Sequence, residues 1–168
     1  MSQPSFAGRL FAGLILVCAI AAPVPAQQAQ RPLDLATFPR TALEVTHHGS
    51  DHTVRTYPFQ VWVADTDERA QQGLMFVSDL PENMGMVFPV EPPRIENMWM
   101  KNTYIELDML FIGADGRITK IIARAAPLSL ETLSSEVPVA AVLELRGGEA
   151  ARLGVQTGDT VSWKKPAG

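Results

Sequence analysis

The stretch Met98-Trp99-Met100-Lys101-Asn102-Thr103-Tyr104-Ile105-Glu106-Leu107-Asp108-Met109-Leu110-Phe111 decides how the chain is read. Ile105, Leu107, Met109 and Phe111 alternate with Tyr104, Glu106, Asp108 and Leu110, the period of two expected of a strand with one buried face. A helix would need apolar groups three and four apart, and the β-branched and aromatic content also favours a strand. Upstream, Met98 and Met100 share the opposite pleat from Trp99, so two extended runs are expected to meet as a hairpin at Lys101-Asn102-Thr103. Asn and Thr suit such a bend because their side chains hydrogen-bond nearby backbone. The same corner holds the chain's densest mixture of aromatic, thioether, cationic and carboxylate groups, and any site is expected there.

Outward from this corner, short strands and turns continue in both directions. Towards the N-terminus, Thr53 to Ala64 reads as a strand with Phe59, Val61 and Val63 on one face and Gln60 and Trp62 on the other. Pro58 makes its first part an edge or a bulge. A short helix follows from Asp65 to Gly73, with Asp65 as its cap, Glu68 three residues on, and Gly73 as a left-handed stop. Ser78 to Arg94 reads as a turn-rich segment around one short strand, Met86-Val87-Phe88. Beyond the corner, Asp115-Gly116 turns into a strand at Ile118 to Arg124, and Ala125 to Pro138 reads as a loop. Val139 to Leu145 forms a strand that Glu144 interrupts. One helical turn at Glu149 to Leu153 is stopped by Gly154, and Gly158-Asp159 leads into a last strand, Thr160 to Trp163. The expected class is mainly β, a compact antiparallel sandwich or squat barrel with one or two short helices.

Residues 1–26 read as a secretory signal: Arg9 is the basic region, Leu10 to Ile20 the apolar core, and Val24-Pro25-Ala26 the cleavage site. The run is short for a membrane span and is followed by Pro23 and Pro25, so retention as an anchor is the alternative. A lipoprotein reading of Leu14-Ile15-Leu16-Val17-Cys18 is weakened by Val17, which stands where a small residue is needed. Cleavage near Ala26 would give a periplasmic or secreted protein touching membrane only through an uncleaved signal. Residues 27–40 then read as a flexible leader and 41–165 as a single domain.

Without the signal no cysteine remains, which excludes disulfides, a thiol nucleophile and thiolate metal sites. Thirteen basic residues then face eighteen acidic ones, a net charge of −5 that gives no footprint for nucleic acid. All three histidines fall in His47-His48-Gly49-Ser50-Asp51-His52, expected as a hairpin loop. Gly49 stands where a metallo-β-lactamase-like HxHxDH run needs its second His, so no metal site is assigned there.

Ala64-Asp65-Thr66, Glu68-Arg69, Gly73-Leu74-Met75, Gly85-Met86, Trp99-Met100-Lys101-Asn102-Thr103, Leu107-Asp108, Val142-Leu143-Glu144 and Gly158-Asp159 together resemble the signature of the family called domain of unknown function 192. The resemblance spans about residues 42 to 163. It implies a compact β-sandwich-like domain, often behind a signal peptide. The family's activity is not established, so it supplies no catalytic residues. Met98 stands where the family pattern usually has Phe, and Phe76 or Val77 where a basic residue often follows.

Three functions fit these residues. The first is a non-catalytic binding module with no cofactor, taking a small ligand or envelope component in a polar pocket formed by Glu68, Arg69, Trp99, Lys101, Asn102, Thr103, Asp108 and Glu144. Against it stands a purely structural charge network, Lys101 with Asp108 or Glu144 and Arg69 with Asp65. The second is Cu(I) binding through Met98, Trp99 and Met100, since six of the seven methionines lie between 75 and 109 and thioethers select soft metals. Core filling is the competing use of those methionines. The third is hydrolysis by Asp108 with Glu144 or Glu68 as an acid/base pair, or by Lys101 activating a hydroxyl.

Overall fold

A computed structural model describes residues 32–50 and 52–164. The expected signal segment, the first part of the leader and Asp51 lie outside the described residues. No helix among the described residues is long and apolar enough to cross a membrane.

The chain runs β1 (Arg40–His48), β2 (Val54–Val63), α1 (Asp67–Gln72), β3 (Met84–Arg94), β4 (Asn97–Met98), β5 (Leu107–Ile112), β6 (Ile118–Ala125), β7 (Leu133–Ser134), β8 (Val139–Arg146), α2 (Glu149–Leu153) and β9 (Thr160–Trp163). Seven strands form one sheet in the order β6-β5-β8-β3-β2-β1-β9, and β4 pairs with β7 in a separate two-stranded ribbon. The mainly β reading with two short helices stands. The large sheet is mixed, because β2 and β3 run parallel with α1 as their crossover, and it is not closed into a barrel. Its two edges meet at an isolated bridge between Arg117 and Thr160, flanked by a few backbone hydrogen bonds.

Alternation places two apolar clusters on opposite faces of this sheet. Leu43, Val45, Phe59, Val61, Val63, Val87, Leu110, Leu143, Leu145 and Val161 form one, completed by Ala150 and Val155 from in and after α2. Trp62, Met86, Phe88, Leu107, Met109, Phe111 and Val142 belong to the other, covered by Phe38, Leu74, Leu80 and Met100. β5 and β8 are therefore buried on both sides, which explains their near-continuous apolar runs.

Several local expectations change. The hairpin about Lys101-Asn102-Thr103 does not form: β4 turns to β7, and Tyr104 to Glu106 are not strand, so β5 starts at Leu107. β5 has two buried faces where the alternation suggested one. His47 and His48 end β1 and only His52 belongs to the loop. Thr66 caps α1 by accepting from the Arg69 amide, while Asp65 pairs with the Arg69 side chain. β3 is far longer than Met86-Val87-Phe88. Residues 32–40, expected as structureless leader, pack on the domain: Asp34 caps a 3-10 turn at Leu35–Thr37, and Phe38 is buried. As expected, β3 leaves the first part of β2, with Pro58, unpaired on one side; their ladder begins only at Gln60.

Candidate functional site

Glu144 lies in β8 directly between Met86 of β3 and Met109 of β5, so its side chain emerges on the face covered by α1 and the Met98–Thr103 corner. Only 4% of the residue is exposed, and Oε2 has no hydrogen-bond partner among the described residues. Burial, with no cation to offset it, pushes the Glu144 carboxyl up to about 8. The group is thus a neutral acid at pH 7.

Above it is a crevice of about 20 Å³, lined by Ala70, Gln72, Gly73, Leu74, Met75, Phe88, Met98, Trp99 and Thr103. That volume holds one water or a group of similar size. Trp99, 47% exposed, forms its outer wall. Two segments are locked together around it: the Phe76 amide donates to the Asn102 carbonyl at 2.8 Å, and Asn102 Nδ2 approaches Met75 Sδ at 3.9 Å. The tight bend rests on Asn102 at φ +55°, a conformation Asn tolerates better than most residues. Gly85 matters from behind, since a Cβ there would lie 2.4 Å from the Glu144 carbonyl oxygen.

Of the eight residues assigned from sequence to a ligand pocket, the fold brings Trp99, Thr103 and Glu144 to this crevice. Lys101 is exposed, its Nζ 5.4 Å from the centre of the Trp99 ring. Glu68 is exposed on the first turn of α1, where its own backbone amide and the Thr66 hydroxyl hold its carboxyl below the usual range. Arg69 turns away to Asp65, the Thr37 carbonyl and the Phe38 ring.

Asp108 is on the wrong side altogether. It pairs with Leu145, one register step from Glu144, so it points into the opposite cluster. There it is fully buried and accepts from the amides of Arg124 at 2.8 Å, Gly148 at 2.9 Å and Ala150 at 2.9 Å. Neither the expected Lys101 to Asp108 network nor an Asp108 with Glu144 acid/base pair is compatible with that placement. The Met98-Trp99-Met100 trio also divides: Met98 and Trp99 line the crevice, while Met100 is fully buried beneath. No cluster of three His, Cys, Asp or Glu side chains among the described residues is arranged to hold a metal.

The residues missed from sequence are Met75, Gly73 and Phe88. Gly73-Leu74-Met75 is a recognisable motif, yet its neighbour across the crevice comes from a strand far along the chain. A larger cleft of about 340 Å³ opens at the start of α1 beside Asp65, Thr66, Asp67, Glu91 and Arg94. The Asp65, Thr66 and Asp67 side of it is exposed, and Asp65 is already paired with Arg69.

Several solved structures resemble the chain, two of them from named bacteria. A Sinorhizobium meliloti 1021 protein, described as a candidate transcription regulator, is 37% identical over 75% of this chain and 95% of its own, with a TM-score of 0.70. A protein of unknown function from Novosphingobium aromaticivorans DSM 12444 is 34% identical over 90% of this chain and 100% of its own, also with a TM-score of 0.70. Comparison with curated proteins gives no match. The model of DUF192, described as an uncharacterized ACR, matches residues 23–163, so the chain belongs to that family, the domain of unknown function 192.

Proposed function

We propose that this is an exported, non-catalytic binding module whose ligand enters the crevice over Glu144. One observation carries the reading: a buried carboxyl oxygen without a partner, at the base of an opening walled by a half-exposed tryptophan. An unsatisfied buried polar atom costs on the order of 1–3 kcal/mol, and a fold that keeps one does so most economically where a ligand satisfies it. Export is supported by Arg9, the apolar run Leu10 to Ile20 and the Val24-Pro25-Ala26 ending. Catalysis is not favoured, because Asp108 faces away and Glu68 is not part of the lining, which leaves Glu144 alone. Regulation of transcription by DNA contact is not favoured either; a net charge of −4 offers little to hold phosphates.

The test is a spectrum of the methionine methyls and Trp indoles during titration with small cationic, neutral and anionic fragments. Shifts confined to Met75, Met98 and Trp99 are expected. If no fragment moves those signals, the reading is wrong.

A second reading, soft-metal binding, draws on the thioethers of Met75 and Met98 beside Trp99. Unmoved Met98 and Trp99 signals in a Cu(I) titration would end it.

A further inference from the structure

The lining of the crevice has a consistent chemical character. It offers two thioethers, the Trp99 and Phe88 rings, the Thr103 hydroxyl and the Glu144 carboxyl, all electron-rich. Two of its side-chain donors are already engaged. Gln72 Nε2 donates to the Leu33 carbonyl at 2.9 Å, and the Thr103 hydroxyl is turned to the Lys101 carbonyl at 3.4 Å. The elements packed against Glu144 present no other titratable side chain among the lining residues. Lys101 stands over the outer wall, and Arg69 of α1 is held on Asp65. A carboxyl has therefore been buried in acceptor surroundings without a counter-cation.

Exposed apolar side chains neighbour the lining residues along the chain or through the backbone, alongside the Lys101 ammonium over Trp99. Phe76 follows the lining residue Met75, Tyr104 follows Thr103, and the Leu128 amide donates to the Thr103 carbonyl at 3.0 Å. All three side chains are exposed, and Phe76 and Tyr104 meet edge to face with ring centres 6.2 Å apart. Their area exceeds anything the one-water crevice itself could engage.

We propose that the ligand is a primary ammonium compound with an alkyl or aryl body: its –NH3+ group enters the crevice against Glu144, and its body lies across Phe76, Trp99, Tyr104 and Leu128. This rests on the binding-module reading and adds the ligand's class. The head group matches a cavity of one-water size, donates to the unpartnered oxygen, and meets an aromatic wall that attracts cations. On binding, the neutral carboxyl of Glu144 gives its proton to solvent and the resulting carboxylate pairs with the ammonium; no other bond changes.

The experiment titrates the full chain with n-butylammonium chloride, 1-pentanol, sodium pentanoate and silver nitrate, followed by the Trp99 indole and Met98 methyl signals and by calorimetry in two buffers. Butylammonium is expected to bind with proton release. Its affinity should rise roughly tenfold from pH 6 to 7, about fivefold from pH 7 to 8, and level off above that as the ionised fraction of Glu144 saturates. Glu144→Gln should weaken it at least tenfold at pH 8 and remove the pH dependence. Trp99→Leu, at an exposed position that leaves the core intact, should weaken it several-fold and keep that dependence.

Equal binding of pentanol and butylammonium, or undiminished binding by Glu144→Gln, overturns the ammonium inference and leaves the binding module standing. Silver moving the Met98 methyl while butylammonium does not overturns it in favour of a soft metal. Silence from all four probes overturns both.

Discussion

At the scale of single residues, Glu144 couples stability to pH. Below about pH 4.5 the carboxyl is protonated in both folded and unfolded chains, and its contribution is fully present. Between there and about pH 8 only the folded state keeps the proton, so stability falls as pH rises and levels off above the folded value. The slope approaches about 1.4 kcal/mol per pH unit for one proton. Urea titrations of wild type from pH 5 to 8 should show this decline, and Glu144→Gln should flatten it. Glu144→Met, close in volume and free of the unpartnered oxygen, should be more stable than wild type at pH 7.5 by about 1–3 kcal/mol. The sequence exposed Glu144 as the one polar interruption of an apolar run. It could not separate Glu144 from Asp108, because which face each occupies is set by strand pairing between distant segments.

At the scale of elements, α2 is held where it is by Asp108, whose carboxylate takes the amides of Gly148 and Ala150 at its start and that of Arg124 in β6. Asp108→Ala would strand three buried or half-buried donors, and a loss of about 3–5 kcal/mol is expected in chemical denaturation. Ligand binding at the crevice should survive at temperatures where the variant is folded. Gly85→Ala would drive a methyl group into the backbone of β8 and should cost about 2 kcal/mol, measured as a fall in Tm.

Elements defined by local chemistry were legible. β9 and α2 appear with the bounds that Gly154 and Gly158 suggest, since a left-handed stop needs no distant partner. β3 was obscured by Pro89, Pro92 and Pro93. Those prolines are tolerated because β2 pairs with β3 only as far as Val87, which leaves one side of the later strand without a ladder to interrupt. The pairing of β4 with β7 had no local signal at all.

At the scale of the whole molecule, the sheet curls until its edge strands β6 and β9 meet at the Arg117 to Thr160 bridge, and beside that join Asp159 ties the start of β9 to the end of β1. Its carboxylate accepts from the His48 amide at 3.0 Å and the Gln156 amide at 2.8 Å, and meets His47 Nδ1 at 2.9 Å. Asp159→Ala should lower stability by about 2–4 kcal/mol and speed amide exchange first in β9 and the end of β1. The mainly β class could be read from strand length and turn spacing, but the parallel β2 and β3 pair could not. That pairing makes α1 a crossover, which sets Ala70 and Gln72 over the crevice.

Asp108 and Glu144 stand on neighbouring rungs yet face different halves of the interior. Anchoring and recognition are thereby insulated from each other by the thickness of one sheet. A relative that exchanged the second acid for a hydrocarbon would fold at least as firmly while being deaf to the ligand. The reverse exchange would deprive the chain of a latch, yet whatever fraction stayed folded would still hear it.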